Sequence, residues 1–518
     1  RRCLEINTLR WSCKCPNTMK DSFEFDLIVV GSGVGGATFT DYVTRLNADL
    51  KIAILESGPY LIKENFNQKE IDMTAMYFNR GAVLSKNLQI GVSAANTLGG
   101  SSAVYTGVSF RPPKSVMKKW RDNFGLDFLS KEYVAHSLDE IEEDISVHEL
   151  PKSWDNENNR LFQKGAEKLG IPVKRLKINT KNCKQQGFCN LGCTTGAKQG
   201  ALEVQIPKIL ERGVKIFCNT KVISVEENMV NVLVTDAPKG TLANTITSGT
   251  YQFKAKKIIL AAGVLNTPAI LLRSAMKLGL KNKNIGRYIT LHPAFNINGI
   301  YTKAISSYKG FPKTVYTDHF SESDNFYLET SFYFPGVTAK NNPGYGVPHQ
   351  EVMKEYSKMM SILILAHDDA ERNNRISIDK KGNTIVIYSI NGKTKNALIK
   401  ALQEAAKIFF AAGCEKVFLP ASKKLPLVKE DADIISNIIS KKYLNLFKTP
   451  LSSAHPQGGA RMGKDPLNSV CDTNGKVYGT DSIYVCDASL FPTSVKVNPY
   501  ETIMVLAKWV AENVFETK

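Results

Sequence analysis

A glycine-rich turn between a predicted strand and a predicted helix constrains the fold of this chain more than any other feature. Residues 25–30 have the composition of a buried strand, and the turn at 31–36 precedes a helical pattern that ends near residue 46. A second strand is predicted at 51–55. Because two strands joined through a helix lie parallel, this β-α-β unit requires a parallel sheet near the start of the chain.

The spacing within the turn is that of a dinucleotide-binding site. Gly31 permits the tight turn, Gly33 lets a pyrophosphate approach the backbone, and Gly36 lets helix and strand pack closely. Glu56 lies 20 residues beyond Gly36, where a carboxylate accepts hydrogen bonds from ribose hydroxyls and disfavours a 2′-phosphate. The motif therefore predicts FAD or NAD and argues against NADP. A second turn of small residues at 98–103 can wrap the same dinucleotide.

The remaining pattern predicts two domains. Short β-rich segments predict a small antiparallel meander at 214–217, 221–226, 229–235 and 250–254, followed by a strand and tight turn at 257–263 and a helix from about 267. Alternation between about 290 and 395 predicts an antiparallel sheet, with strands at 326–333 and 360–365, a hairpin through 379–383 and a helix at 395–412. A strand is predicted at 483–487 and a last helix at 499–515. We therefore expect an α/β fold, with a nucleotide-binding domain built from separated segments and a second domain inserted into it.

Composition excludes some functions and leaves others open. The net charge of +18 is spread over single lysines, and no zinc-finger or RNP pattern supports nucleic-acid binding. A predicted Lys-rich helix at 428–448 leaves peripheral contact with acidic lipid or an acidic electron-transfer partner open, beside an ordinary solvated surface. No apolar run reaches the about 18 residues of a membrane-spanning helix. Residues 1–22, an extension without an initial Met, favour a trimmed chain and show no clear signal peptide, so we expect a soluble or peripheral protein of undetermined compartment.

A histidine and an asparagine near the end of the chain are the candidate catalytic pair. Oxidation of an alcohol by hydride transfer needs a base for the hydroxyl proton, and a histidine with an ordinary pKa near 6.5 is suitable. His455 precedes Pro456 and a Gly-Gly pair, so we expect it on a constrained loop. Asn498 precedes Pro499, and with Glu501 it has the pattern of a helix N-cap. Its carboxamide can hydrogen-bond the substrate oxygen while the helix N-terminus faces the flavin.

Taken together, these strings resemble those of the glucose–methanol–choline (GMC) flavin oxidoreductases over almost the whole chain. The resemblance is carried by the N-terminal glycine turn and by four further strings: Leu98-Gly-Gly-Ser-Ser-Ala103, Ile258-Ile-Leu-Ala-Ala-Gly-Val-Leu-Asn-Thr-Pro268, Asn284-Ile-Gly-Arg-Tyr-Ile-Thr-Leu-His-Pro293, and the pair His455-Pro-x-Gly-Gly with Asp487-Ala-Ser…Asn498-Pro-x-x-Thr502. The histidine–asparagine pair is similar to that of the cholesterol oxidase, long-chain alcohol and sugar dehydrogenase branches.

The resemblance implies FAD as the cofactor and an alcohol, sterol or sugar as the substrate, with His455 as the base and Asn498 as the second active-site residue. It implies FAD contacts at Gly31, Gly33, Gly36, Glu56, Gly100, Ser101, Val222, Ala261, Asp487, Ala488, Asn498 and Thr502. Tyr105 departs from the family, in which many members have Asn. His292 is family-like, and we interpret it as structural because it falls where the chain leaves the flavin domain.

The implied fold is a Rossmann-like FAD-binding domain with a parallel sheet and a β-meander, plus an inserted substrate domain with an antiparallel sheet and helices. The predicted domain segments are 23–110, 196–290 and 450–518 for FAD binding, and 111–195 and 291–449 for substrate binding.

Three cysteines lie close together in a polar, glycine-containing segment. Cys183, Cys189 and Cys193 lack the usual four-ligand iron–sulfur spacing, and zinc fits poorly because a fourth ligand is missing. The segment resembles a loop of FAD sugar dehydrogenases that hold a three-iron cluster, and also a stretch of long-chain alcohol oxidases without one. An iron–sulfur cluster, packed thiols and one disulfide are therefore all open.

The expected activity is FAD-dependent oxidation of an alcohol, by proton abstraction and hydride transfer to flavin N5. The electron acceptor is oxygen, a quinone or a cytochrome, and a cluster at the three cysteines would favour a dehydrogenase that passes electrons singly. A lyase on the same FAD scaffold, similar to some hydroxynitrile lyases, is the alternative without redox turnover.

Overall fold

The computed structural model describes residues 23–342, 344–419, 426–440, 444 and 451–515. Its α-helices are α1 (Val34–Leu46), α2 (Glu70–Met73), α3 (Lys114–Phe124), α4 (Lys131–Asp144), α5 (Glu157–Lys168), α6 (Gln205–Glu211), α7 (Thr267–Ser274), α8 (Pro335–Asn341), α9 (Gly346–Lys354), α10 (Gly392–Ala412), α11 (Ile435–Ile438) and α12 (Tyr500–Asn513). The 3₁₀ helices that bear on the site or on the predictions are Gly100–Ala103, Cys189–Leu191, Lys429–Ile434 and Ala488–Leu490.

The strands are β1 (Phe23–Val30), β2 (Ile52–Leu55), β3 (Ile90–Val92), β4 (Val108–Ser109), β5 (Val147–Glu149), β6 (Lys174–Arg175), β7 (Lys177–Asn179), β8 (Lys215–Phe217), β9 (Thr220–Glu226), β10 (Met229–Val234), β11 (Gly249–Leu260), β12 (Ala294–Tyr301), β13 (Val315–Thr317), β14 (Phe326–Thr330), β15 (Met359–Ala366), β16 (Arg375–Ile378), β17 (Thr384–Ile387), β18 (Cys414–Phe418), β19 (Leu427–Val428), β20 (Leu451–Ser453) and β21 (Ile483–Val485).

The first sheet is the predicted parallel sheet. Its strand order is β8-β2-β1-β11-β10-β9, and β21 pairs with the carboxyl-terminal end of β11. β1 pairs in parallel with both β2 and β11, which confirms the β-α-β unit. Residues 27–30 are buried because both faces of this strand are covered, as its nearly continuous apolar composition indicates.

Two details of the predicted meander are wrong. Residues 214–217 were expected in the meander, but β8 pairs in parallel with β2 and extends the parallel edge of the sheet. The segments predicted separately at 250–254 and 257–260 form one strand, β11, whose first half pairs with β10 and whose second half pairs with β21. The meander therefore consists of β9, β10 and the start of β11.

The second sheet is the predicted antiparallel sheet. Its order is β19-β18-β12-β15-β14-β13-β6, with β20 beside β12 and β3 beside β20. One face packs against α5 and α10 and joins the main core, through Phe295, Ile297, Leu328, Ile362 and Ile364. The opposite face carries a separate apolar cluster of Ala294, Tyr327, Leu363 and Leu365. We call this opposite face the inner face.

Predicted segments and observed sheets do not coincide everywhere. β3 and β20 lie in segments predicted for FAD binding, but they extend the second sheet. The domain boundaries themselves stay a prediction. The hairpin through 379–383 is confirmed as β16 and β17, which form a sheet of their own.

The helix predicted at 428–448 is not continuous. Residues Lys429–Ile434 form a 3₁₀ helix, and α11 ends at Ile438 because the backbone of Ile439 leaves the helical region. Residues 441–443 and 445–450, like the extension 1–22, lie outside the described part of the chain. Within the described ranges, no helix combines the length and apolar character needed to cross a membrane.

Candidate functional site

The glycine turn lies at the carboxyl end of the parallel sheet, packed on its neighbours. Gly31 has a φ of +101°, and a Cβ there would lie 2.4 Å from the carbonyl oxygen of Ala261. A Cβ on Gly36 would lie 2.1 Å from the carbonyl oxygen of Gly31, so helix and strand meet at this point, as predicted. These contacts explain two of the three predicted glycines by close backbone approach.

Gly33 has a different environment, which fits a phosphate group. It precedes α1, whose first turn has neither an acidic residue nor a side-chain cap. A Cβ on Gly33 would approach nothing closer than Gly100 Cα, at 3.8 Å. The amide groups at the start of α1 are therefore available to an anion, and the helix dipole favours negative charge there. The residues present fit the pyrophosphate of a dinucleotide such as FAD.

Glu56 organises both small-residue turns. Its carboxylate accepts hydrogen bonds from the Ser32 amide at 3.0 Å, the Ser32 hydroxyl at 2.6 Å and the Gly58 amide at 2.8 Å. The Ser32 hydroxyl also accepts from the Gly99 amide, at 3.0 Å. Burial raises the pKa of Glu56, and these hydrogen bonds oppose that rise. Glu56 therefore connects the first glycine turn to the turn at 98–103.

The other residues expected to contact FAD lie around these turns. Asp487 accepts hydrogen bonds from the Gly263 amide at 2.8 Å and the Thr267 hydroxyl at 2.6 Å, which fixes the end of β21 to the turn after β11. Buried residues of the same set are Val222, Ala261, Ala488 and Thr502, and the Thr502 hydroxyl has no hydrogen-bond partner among the described residues. Ser101 is exposed, and its hydroxyl accepts from the Ala95 amide at 3.1 Å.

His455 lies on a loop held against the segment that leads to Asn498. The Gly458 amide donates to the Ala488 carbonyl at 2.8 Å, and the Val495 amide donates to the Gln457 side-chain oxygen at 2.8 Å. These bonds bring together residues that are 30 and 38 positions apart in the sequence. The expectation of a constrained loop at His455 is met by this geometry.

The imidazole of His455 is neutral. Its Nδ1 atom is buried without a hydrogen-bond partner among the described residues. Burial, with a smaller contribution from the positive charge of Lys313, lowers the pKa of His455 to about 3. The ring is therefore unprotonated at neutral pH and can accept a proton.

Asn498 is oriented by a tyrosine, and it does not cap the last helix. α12 begins at Tyr500, and no side chain caps it, so the predicted N-cap role of Asn498 is wrong. Instead, the Tyr327 hydroxyl donates to the Asn498 Oδ1 atom at 2.6 Å. The carboxamide oxygen is thereby engaged by the inner face of the second sheet, and no bond from it to the first turn of α12 is present.

Two further histidines connect His455 with Asn498. The His292 ring centroid lies 5.6 Å from that of His455, and its Nε2 atom lies 2.6 Å from the Ser494 hydroxyl. The His367 ring lies 6.2 Å from His292 and 5.8 Å from Tyr327, which bonds Asn498. The sequence predicts a structural role for His292 and no role for His367. The sequence signal for His292 was its position before Pro293, while His367 has no local signal.

The three cysteines of the loop are free thiols and are not gathered into a metal site. All three thiols are half-buried, and burial raises the pKa of Cys189 to about 11. In the portion of the chain that is described, no three Cys, His, Asp or Glu side chains converge to hold a metal ion. The Cys189 carbonyl accepts a hydrogen bond from the Lys198 ammonium at 2.8 Å, which fixes the 3₁₀ turn at Cys189. The iron–sulfur interpretation of these cysteines stays a prediction.

Tyr105, the departure from the family pattern, belongs to a buried aromatic contact. Its hydroxyl is bonded by the Asn179 amide, and its ring lies 4.9 Å from that of Tyr500, at the start of α12. The residue therefore connects the small-residue turn with the last helix.

Comparison with known proteins decides the family. Two family models described as GMC oxidoreductase match residues 73–294 and 370–507, which together are more than half of the chain. The chain belongs to the GMC oxidoreductase family. It is therefore a flavoprotein oxidoreductase with a Rossmann-type FAD-binding fold, as the sequence predicted.

The individual relatives have low sequence identity to this chain. An uncharacterized GMC-type oxidoreductase of Mycobacterium tuberculosis is 28% identical over 494 residues, which cover 94% of this chain and 75% of the relative. A long-chain-alcohol oxidase of Arabidopsis thaliana is 28% identical over 511 residues, covering 95% of this chain and 68% of that protein. The crystal structure of pyridoxine 4-oxidase from Mesorbium loti has a TM-score of 0.70 at 17% identity, and the match covers 95% of this chain and 99% of the other. That similarity concerns the fold alone.

Proposed function

We propose that this GMC oxidoreductase oxidises an alcohol, with His455 as the base and Asn498 as the group that holds the substrate oxygen. The observation that carries the proposal is the continuous series of side-chain contacts from His455 through His292, His367 and Tyr327 to Asn498. A base and an amide donor that can both reach one substrate hydroxyl are what removal of its proton requires.

In the proposed reaction, His455 accepts the hydroxyl proton of the substrate. Since Nδ1 is buried, the nitrogen proposed to take the proton is Nε2. The low pKa of His455 keeps this nitrogen unprotonated before each turnover. FAD, when bound, accepts the hydride that leaves the carbinol carbon.

Asn498 is proposed to donate a hydrogen bond to the substrate oxygen. The two ends of a carboxamide differ, because the oxygen accepts and the nitrogen donates. Since Tyr327 donates to Oδ1, the Nδ2 atom is left for the substrate. The residues proposed to hold FAD are the glycines of the first turn, Glu56, Gly100, Ser101, Val222, Ala261, Asp487, Ala488, Asn498 and Thr502. The substrate is proposed to be an alcohol because the relatives include proteins named long-chain-alcohol oxidase and cholesterol oxidase.

The test is anaerobic reduction of the FAD-loaded protein by a panel of alcohols. We expect the flavin to bleach, and we expect His455→Gln to slow bleaching by roughly 10²- to 10⁴-fold while FAD content stays unchanged. His148→Gln, at an exposed histidine, is the matched control and should retain the wild-type rate. An unchanged rate in His455→Gln would refute the assignment of the base.

The same samples separate the alternatives. A lyase on this scaffold would hold FAD and turn over substrate without bleaching it. Iron analysis of the purified protein tests whether Cys183, Cys189 and Cys193 hold an iron–sulfur cluster. About three iron atoms per chain would support that interpretation. Oxygen consumption after reduction then distinguishes an oxidase from a dehydrogenase that needs a quinone or cytochrome.

A further inference from the structure

The inner face of the second sheet carries a second row of side chains beside the row that contains Tyr327. Cross-strand pairing places Asn296 opposite Leu363, Leu363 opposite Glu329, and Glu329 opposite Tyr316. Directly paired residues of an antiparallel sheet point to the same face, so these four side chains form one row. Tyr327 and Glu329 are two residues apart, and the two rows are therefore separated by roughly 7 Å.

The second row contains buried polar atoms without partners. Asn296 is 8% exposed, and neither its Nδ2 nor its Oδ1 atom has a hydrogen-bond partner among the described residues. Glu329 is 0% exposed, and its Oε1 atom also lacks a partner in the described structure. Since a buried polar group without a hydrogen bond is costly, atoms left in this state on one face indicate a ligand.

The charge of Glu329 is already balanced. Its Oε2 atom accepts from the Lys313 ammonium at 2.8 Å, and both side chains are buried. A cation at Oε1 would add a buried charge without a counter-ion, which is unfavourable. The ligand that fits Glu329 and Asn296 is therefore a neutral group that both donates and accepts hydrogen bonds, and a hydroxyl is the simplest.

The next asparagine along β12 shows that this sheet otherwise satisfies its amides. Asn298 is also buried, but its Nδ2 atom donates to Asn342 Oδ1 at 2.8 Å, and its Oδ1 atom accepts from the Ser361 hydroxyl. Asn296 and Asn298 share a residue type, a strand and a face. They differ in that the amide of Asn296 has no protein partner.

We propose that Asn296 and Glu329 form a second polar subsite, which binds a substrate hydroxyl one row of side chains, roughly 7 Å along the strands, beyond the row of Tyr327, the residue that bonds Asn498. This inference rests on the proposed function and specifies its substrate class: alcohols with a second hydroxyl four to six carbons away, rather than simple hydrocarbon alcohols. The second hydroxyl donates to Glu329 Oε1 and accepts from Asn296 Nδ2. Leu363 and Leu365, which lie in the apolar cluster of the inner face, contact the carbon chain between the two hydroxyls.

The experiment compares butane-1,4-diol, pentane-1,5-diol and hexane-1,6-diol with the monoalcohols of the same length, using anaerobic reduction of the FAD-loaded protein. After correction for the two reactive ends of each diol, we expect at least one diol to exceed its monoalcohol about 10-fold in kcat/KM, because a site built for a hydroxyl discriminates against analogues without one. In Asn296→Leu, that ratio should fall to about one, with an unchanged or higher Tm because an unpaired buried amide is removed.

Asn298→Leu is the matched control. It should lower Tm, since it leaves Asn342 and Ser361 without their partner, and it should keep the wild-type ratio of diol to monoalcohol. A wild-type ratio near one, or a ratio that Asn296→Leu leaves unchanged, overturns the subsite.

Failure of the proposed function has a different outcome. If no alcohol bleaches the flavin, the oxidation proposal fails, and the subsite is then judged by the diol-induced increase in Tm. A Tm increase in wild type and in Asn298→Leu, but not in Asn296→Leu, supports the subsite without turnover. No Tm increase in any of the three proteins refutes it.

Discussion

Replacing Tyr327 with Phe tests how the active-site amide is oriented. The change removes the hydroxyl that donates to Asn498 Oδ1 at 2.6 Å and keeps the ring that packs beside His367 at 5.8 Å. A buried neutral hydrogen bond contributes about 1 kcal/mol net, and its unpaired partner loses about 1–3 kcal/mol. Without Tyr327, the carboxamide loses its preference for presenting Nδ2 to the substrate. If about 1.4 kcal/mol of that preference acts in the transition state, flavin reduction slows about tenfold.

The assay is single-turnover flavin reduction at saturating alcohol, together with the free energy of unfolding. Tyr133→Phe is the matched control because the Tyr133 hydroxyl donates to Glu512 at 2.8 Å, away from the candidate site. The free energy of unfolding should fall by about 1 kcal/mol in both variants, and flavin reduction should slow only in Tyr327→Phe. Equal reduction rates in wild type and Tyr327→Phe would refute the orienting role, since the amide would then adopt its working orientation without the tyrosine.

The remaining predictions concern pH and the cofactor site. Burial raises the pKa of Glu501 from 4.5 to about 8, so the folded state holds this proton more tightly than the unfolded state, and the Glu501 contribution to stability should be lost as pH rises from about 4.5 to about 8. Measured by urea unfolding, the free energy of unfolding should fall less between pH 5 and pH 8 in Glu501→Gln than in wild type. Equal decreases in the two proteins would contradict the pKa shift. Gly100→Ala should reduce bound FAD, measured by absorbance, because its Cβ would lie 2.7 Å from Gly33 Cα. Gly196→Ala, at a similar positive φ but with nothing within 4 Å, should lose only about 1–2 kcal/mol of stability and retain FAD. Equal FAD content in both variants would argue against the contact between the two turns.

Features that depend on neighbouring residues were predictable from the sequence. The glycine turn, β1 and α1 lie where the pattern indicated, because turn chemistry and helical periodicity act over a few residues. Glu56 was also located correctly, beside the turn. Its contacts with Ser32 and Gly58 were not predicted, and its contact with a ribose stays a prediction.

Features that depend on long-range pairing were not predictable. β11 is one strand because β1, about 230 residues earlier in the chain, pairs with residues 253–260 across the predicted break. The cap predicted at Asn498 is absent, and the Asn498 oxygen accepts from Tyr327, 171 residues away. At Asn498 a tertiary contact is thus present where the local pattern favours a cap worth about 1 kcal/mol.

The candidate site depends on how the two sheets meet. His455 follows β20, which pairs with β12 of the antiparallel sheet, whereas Asn498 follows β21, which pairs with β11 of the parallel sheet. Neither sheet alone carries both groups. The hydrogen bond from the Val495 amide to the Gln457 side chain connects the two segments, and the bond from Tyr327 connects the antiparallel sheet to Asn498. The relative position of His455 and Asn498 therefore depends on contacts between segments that follow different sheets, and we expect a substitution at Gln457 to alter it.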